Sequence, residues 1–171
     1  MSLAAARPLA PWRWLGLPML YCVIWTVLFA VPIQLWTLSL PQPAFPMVLV
    51  FAWAVIRPSI LAPFAVLLIG LFCDIFWAGP MGLWAVSLLI AYGAVFAARS
   101  ILAGQSFFVM WAWFGVACAI AEAAGVLLAR MQANATPSPL SVGSQLLFTV
   151  ILYPFAHRLI DRFEDADVRF R

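Results

Sequence analysis

Six apolar runs, at positions 14–36, 44–56, 60–78, 81–98, 107–129 and 140–159, follow one another with only short breaks. A membrane-spanning helix needs about 20 mainly apolar residues, within a range of about 17–25. The second run falls short of that length and the other five meet it. Such a chain has few choices. In lipid every backbone N–H and C=O must find a partner within the protein, so apolar runs of this kind cross as helices. The expectation is an all-α polytopic membrane protein with six transmembrane helices. Composition agrees: 67% of residues are hydrophobic and 9% charged, against about 45–50% and about 25% in a soluble domain. The 171 residues suit a single transmembrane domain over 1–171 that ends in a charged tail at 160–171. The first run exceeds the about 7–15 residues of a signal-peptide apolar region, so it reads as an uncleaved span.

Charge sets the orientation. All nine basic residues are arginines, and they are scattered between apolar runs. That pattern reads as a topology signal and not as a nucleic-acid surface. With six spans and a cytoplasmic N-terminus, Arg7, Arg13, Arg57, Arg99, Arg158, Arg162, Arg169 and Arg171 lie inside, and Arg130 alone lies outside. If the second run did not span, Arg57, Arg99 and the four C-terminal arginines would move outside. Six spans, with the N- and C-termini cytoplasmic, is the better model. The second helix is then short, tilted or shielded by its neighbours.

Two acids interrupt the apolar runs. Asp74 lies near the external end of the third span, followed by Gly79-Pro80-Met81-Gly82. This reads as an external hairpin that makes spans three and four antiparallel neighbours. Proline stops the incoming helix, and the glycines open backbone angles closed to other residues and let helices approach closely. An ionised side chain at a bilayer centre costs about 2.5–3.5 kcal/mol on insertion scales. Asp74 therefore serves either the turn beside it or a ligand or partner. Glu122 is the second acid, also in the external half. Beside it Ala117, Ala121, Gly125 and Ala129 recur every fourth residue, a stripe of small residues suited to close helix packing.

The remaining chemistry is sparse. Cys22, Cys73 and Cys118 lie inside apolar runs and read as small core residues, with no disulfide framework. His157 lies a turn from Tyr153 and from Asp161, at the cytoplasmic end of the last span. Asn134-Ala-Thr136 matches a glycosylation acceptor in an external loop, a triplet common by chance. No metal cluster, phosphate loop or activated nucleophile stands out, so neither an enzyme nor a cofactor is expected. The apolar side of Phe155, Leu159, Ile160 and Phe163 reads as a helix leaving along the membrane surface.

Asp74 followed by Gly79-Pro80-Met81-Gly82, between two apolar helices, resembles the signature of the MreD family, small polytopic proteins of the bacterial elongation (rod shape) machinery. Pro63, Gly70, Leu71, Ala91 and Tyr92 fit the same pattern, as do Tyr153-Pro154, Arg158 and Arg162. The specific part is residues 63 to 92. Ala78 stands where the family usually has another glycine, and Met81 where leucine is usual. The resemblance implies a non-enzymatic adaptor in the bacterial inner membrane. Its implied partners are MreC, the cytoskeletal MreB, a RodA-type synthase with its penicillin-binding partner, and membrane lipid. It also implies a fold resembling the substrate-binding subunits of energy-coupling-factor transporters. Such a subunit is the alternative function, with Asp74 and Glu122 lining an outward pocket.

The eight-to-one arginine split predicts that single cysteines at Ser100 and at Ser138, in a chain lacking Cys22, Cys73 and Cys118, label from opposite sides of the membrane. Impermeant maleimide on intact and on permeabilised cells measures this. Labelling of both from outside would remove the six-span topology.

Overall fold

The computed structural model describes residues 15–29, 34–35, 38–39, 42–56, 59–133 and 138–158. They form α1 (Leu17–Phe29), α2 (Pro46–Ile56), α3 (Leu61–Phe76), α4 (Leu83–Leu102), α5 (Phe107–Ala133) and α6 (Pro139–Ile151). A helical segment over 153–158 extends α6 beyond a turn at Leu152. Between α1 and α2 in sequence, β1 (Gln34–Leu35) pairs antiparallel with β2 (Leu38–Ser39). Three helices are long and apolar enough to cross a membrane: Leu83–Leu102, Phe107–Met131 and Pro139–Arg158. α1, α2 and α3 are shorter apolar helices.

The helices follow the apolar runs, with one clear difference. The first run was expected as one helix over 14–36, but α1 spans Leu17–Phe29, and Gln34 and Leu35 belong to β1. The run carries Pro32, which cannot donate to a continuing helix, and Gln34, which brings a polar side chain. Arg57, the Asn134-Ala-Thr136 triplet, the tail 160–171 and most of the arginines that set the orientation lie outside the described residues.

α2 is the centre of the bundle. Every residue from Pro46 to Ala54 is buried, and α2 packs against α1, α3, α4 and α5. A helix apolar on all sides belongs in a core. Its 11 residues cover about 16 Å at a rise of about 1.5 Å per residue, well short of the about 30 Å hydrocarbon core. The short second run is therefore enclosed by its neighbours.

Around α2 the chain runs as successive antiparallel hairpins, α3 with α4, α4 with α5 and α5 with α6. The α3–α4 contact is close because Gly70 lies against Ala85. A Cβ added at Gly70 would stand 2.8 Å from the Ala85 nitrogen and nearer still to its Cα. The α4–α5 link is a short turn over 103–106, in which Gly104 has φ +76° and the Gln105 N–H donates to the Leu102 carbonyl. Phe51 of α2 meets Phe114 of α5 edge-on at 5.3 Å and Tyr153 at 6.2 Å.

Two side chains tie α6 into the bundle. The buried Thr149 hydroxyl donates to the Gln145 carbonyl at 2.7 Å and accepts from the Ala44 N–H at 3.0 Å, just before α2. Pro154 has no N–H, so the Val150 carbonyl loses its partner four residues on. Trp111 Nε1 on α5 donates to that carbonyl at 3.0 Å.

Gly70→Ala should destabilise the protein by about 1–3 kcal/mol, because the methyl meets the Ala85 backbone and not a movable side chain. Gly93→Ala is the matched control. It lies within α4 with open space at its Cβ, and should hold or raise stability by up to about 1 kcal/mol. Thermal unfolding in detergent compares them. An unchanged melting temperature for Gly70→Ala would show that α3 and α4 separate without penalty.

Candidate functional site

The first N–H groups of a helix have no intrahelical acceptor. For α4 the N-cap is Gly82, whose φ of +90° and lack of a side chain leave it nothing to cap with. The preceding helix supplies the acceptor. Asp74 Oδ2 accepts from the Gly82 N–H at 2.8 Å, and Oδ1 accepts from the Trp84 N–H at 2.7 Å. The Leu83 N–H donates to the Pro80 carbonyl at 3.1 Å. Asp74 is 1% exposed, with both oxygens held by backbone donors. The positive end of the α4 dipole faces the carboxylate. An acid that reads as anomalous in the sequence is thus a helix cap delivered across the hairpin.

The exit from α3 is equally specific. The Gly79 N–H donates to the Asp74 carbonyl at 3.1 Å and the Ala78 N–H to the Ile75 carbonyl at 3.3 Å. These are the two bonds of a Schellman motif, whose C′ residue takes the left-handed conformation and is usually glycine. Here it is Ala78, with φ +48°. The glycine demand was therefore misplaced by one position. Gly82 needs its left-handed angle, whereas Gly79 has no positive φ. Nor do the turn glycines provide the close approach, since added Cβ atoms at Gly79 and Gly82 would meet open space. Gly70 provides it. Pro80 follows a helix that has already ended at Phe76 and lends its carbonyl to the start of α4.

Indole rings surround the turn. Trp77 and Trp84 lie 4.8 Å apart, and Trp77 Nε1 donates to Gln42 Oε1 at 3.2 Å. The segment before α2 is thereby fastened to the end of α3.

The other singled-out residues lie apart from the cap. Tyr92 is ten residues into α4 from Gly82, about 15 Å along the helix. It is nearly buried and stacks on Phe96 at 6.0 Å. Ala117 and Ala121 are buried, and an added Cβ at Gly125 would stand 3.5 Å from Ser87 Oγ and 3.9 Å from Leu83 Cδ2. Part of the small-residue stripe thus meets α4. Ala129 lies a turn beyond Gly125, past the level of Leu83 where α4 begins. Glu122 is half-buried, one turn from the buried Cys118. Among the described residues nothing hydrogen-bonds or ion-pairs with its carboxyl. Asp74 and Glu122 therefore share no partner among the described residues. Thr149 and Trp111 went unremarked in the sequence. Pro154 signals a freed carbonyl, but only the fold shows that Trp111 reaches it. No protein-family model, curated protein or solved structure matches the chain.

Both Asp74 oxygens are used, so Asp74→Asn, with one acceptor left and an amide N–H₂ facing a donor, should fall between wild type and Asp74→Leu. The leucine leaves two N–H groups unsatisfied and should lose about 2–5 kcal/mol. Folded yield in membranes and thermal unfolding rank the three, and equal values would show that the cap is dispensable. Ala78→Gly should raise stability by about 1 kcal/mol, since glycine adopts the left-handed angle without penalty. A drop in melting temperature would contradict the strained φ at this residue.

Proposed function

We propose that this chain is an MreD-like, non-enzymatic adaptor of the bacterial elongation machinery in the plasma membrane. In this reading all six helices cross or enter the bilayer with both termini cytoplasmic, and the bundle holds MreC beside a RodA-type synthase and its penicillin-binding partner. The observation that carries the reading is the sealed hairpin at 74–84. The residues with the most specific family resemblance form a rigid joint, with Asp74 consumed by the α4 cap. A rigid joint suits a protein that presents fixed helix faces to partners. A transporter subunit would instead need Asp74 free to meet a ligand. The acid is 1% exposed and doubly bonded to backbone, which favours the adaptor.

Affinity purification of the tagged chain from native membranes tests this. MreC and the synthase pair are expected to co-purify. Recovery of a pair of coupling ATPases in their place would overturn the adaptor reading in favour of transport.

A further inference from the structure

Glu122 presents a different problem from Asp74. It lies 15 residues into α5, inside the apolar window Phe107–Met131, about 22 Å from the helix start. A carboxyl at such a position is costly and ordinarily faces a partner. No described residue supplies one. On α4 and α5 the described bases are Arg99, at the far end of α4, and Arg130, two turns further along α5. The chain therefore does not neutralise this acid from either helix.

The direction Glu122 faces follows from α5 itself. Trp111 and Gly115 face α6, through the Val150 carbonyl and the Val150 Cγ2, which would stand 3.8 Å from an added Gly115 Cβ. Seven residues are nearly two full helical turns, so Glu122 continues that seam from Gly115. The antiparallel counterpart, seven residues back from Val150, is Gly143. An added Cβ at Gly143 would meet nothing within 4 Å. The seam that is filled at Trp111 and Val150 is therefore left open beside Glu122. Ala119 and Ala123, on either side of it along α5, are small and exposed.

We infer that this notch between α5 and α6 receives a transmembrane helix of a partner protein whose arginine or lysine pairs with Glu122. The inference deepens the adaptor reading and rests on it. Charge complementarity selects the occupant. A purely apolar helix would leave the acid unpaired in lipid, and a second copy related by a membrane-normal twofold would bring one Glu122 against another at the same depth. A guanidinium or ammonium on a foreign helix satisfies the carboxylate and keeps its own charge paired.

The test places a photo-crosslinking amino acid at Ala119 or Ala123 in full-length protein in native membranes, and identifies the crosslinked peptide. The expected product is a transmembrane segment carrying arginine or lysine. Glu122→Leu should lower its yield about tenfold or more. Leucine is favourable in lipid, so accumulation of this variant should not fall, and its level in the membrane is measured alongside. Glu122→Arg should abolish the crosslink, and exchanging the partner's base for glutamate should restore it. Unchanged yield in Glu122→Leu, crosslinks confined to lipid or to a second copy, or a crosslinked helix without a base would each overturn the inference. Co-purification of MreC that survives Glu122→Leu unchanged would overturn it while leaving the adaptor reading in place. A basic helix from a protein outside the elongation machinery would support it while removing that reading.

Discussion

The bond pair from the Gly82 and Trp84 N–H groups to the Asp74 carboxylate is the constraint on which the rest of the bundle depends. α4 is the helix that α2, α3 and α5 all touch, so whatever fixes its start fixes theirs. Its N-cap residue has no side chain to cover the orphan donors. The carboxylate does this from the last turn of α3. In doing so it fixes the rotation of α3 against α4, and that rotation turns Gly70 toward Ala85. Charge, turn conformation and close packing are then one device.

The same rule recurs at two other joints. The Ala44 N–H precedes the first turn of α2, and Thr149 of α6 accepts from it. The Val150 carbonyl is released by Pro154, and Trp111 of α5 donates to it. In each case a backbone group without a backbone partner, just before a helix or freed by a proline, is taken up by a side chain from another helix. Buried backbone groups of this kind need a partner. Here each one becomes a tether between elements far apart in sequence, and these tethers set the helix arrangement where apolar contacts alone discriminate poorly among packings.

Much of this architecture was legible in the sequence because it is local. The apolar runs marked the six helices, the tight 79–82 connection marked an antiparallel pair, and the short second run left a shielded helix among the alternatives. The alternatives left open for Asp74 included the turn it caps. What escaped was non-local. Gly70 looks like any glycine within a helix until Ala85 is placed beside it. Thr149 is a plain helical threonine until the segment before α2 arrives. The αL position, by contrast, is local: it fell on Ala78 and not Gly79, because the hydrogen-bond register at a helix end depends on where the last turn closes, and Ala78 is the position at which the resemblance has a glycine. The first run did not stay one helix because one proline and one glutamine outweigh a favourable average over 23 positions of the run.

The two acids show how far burial alone separates structure from recognition. Both lie in apolar helices, and a hydropathy reading treats them alike. Asp74 is enclosed, its two oxygens matched by two donors fixed in place by the hairpin. Such a group has nothing left to offer a partner, and its loss is felt in the fold. Glu122 is half-buried on a seam that is closed one way by Trp111 and open the other way beside Gly143. No backbone donor is orphaned near it, because it sits in mid-helix where every N–H is already used. Among the described residues nothing pairs with its charge. An apolar residue at that position would lower the insertion cost, and a basic residue on the proposed partner helix would give the acid the counterpart that the described residues do not supply.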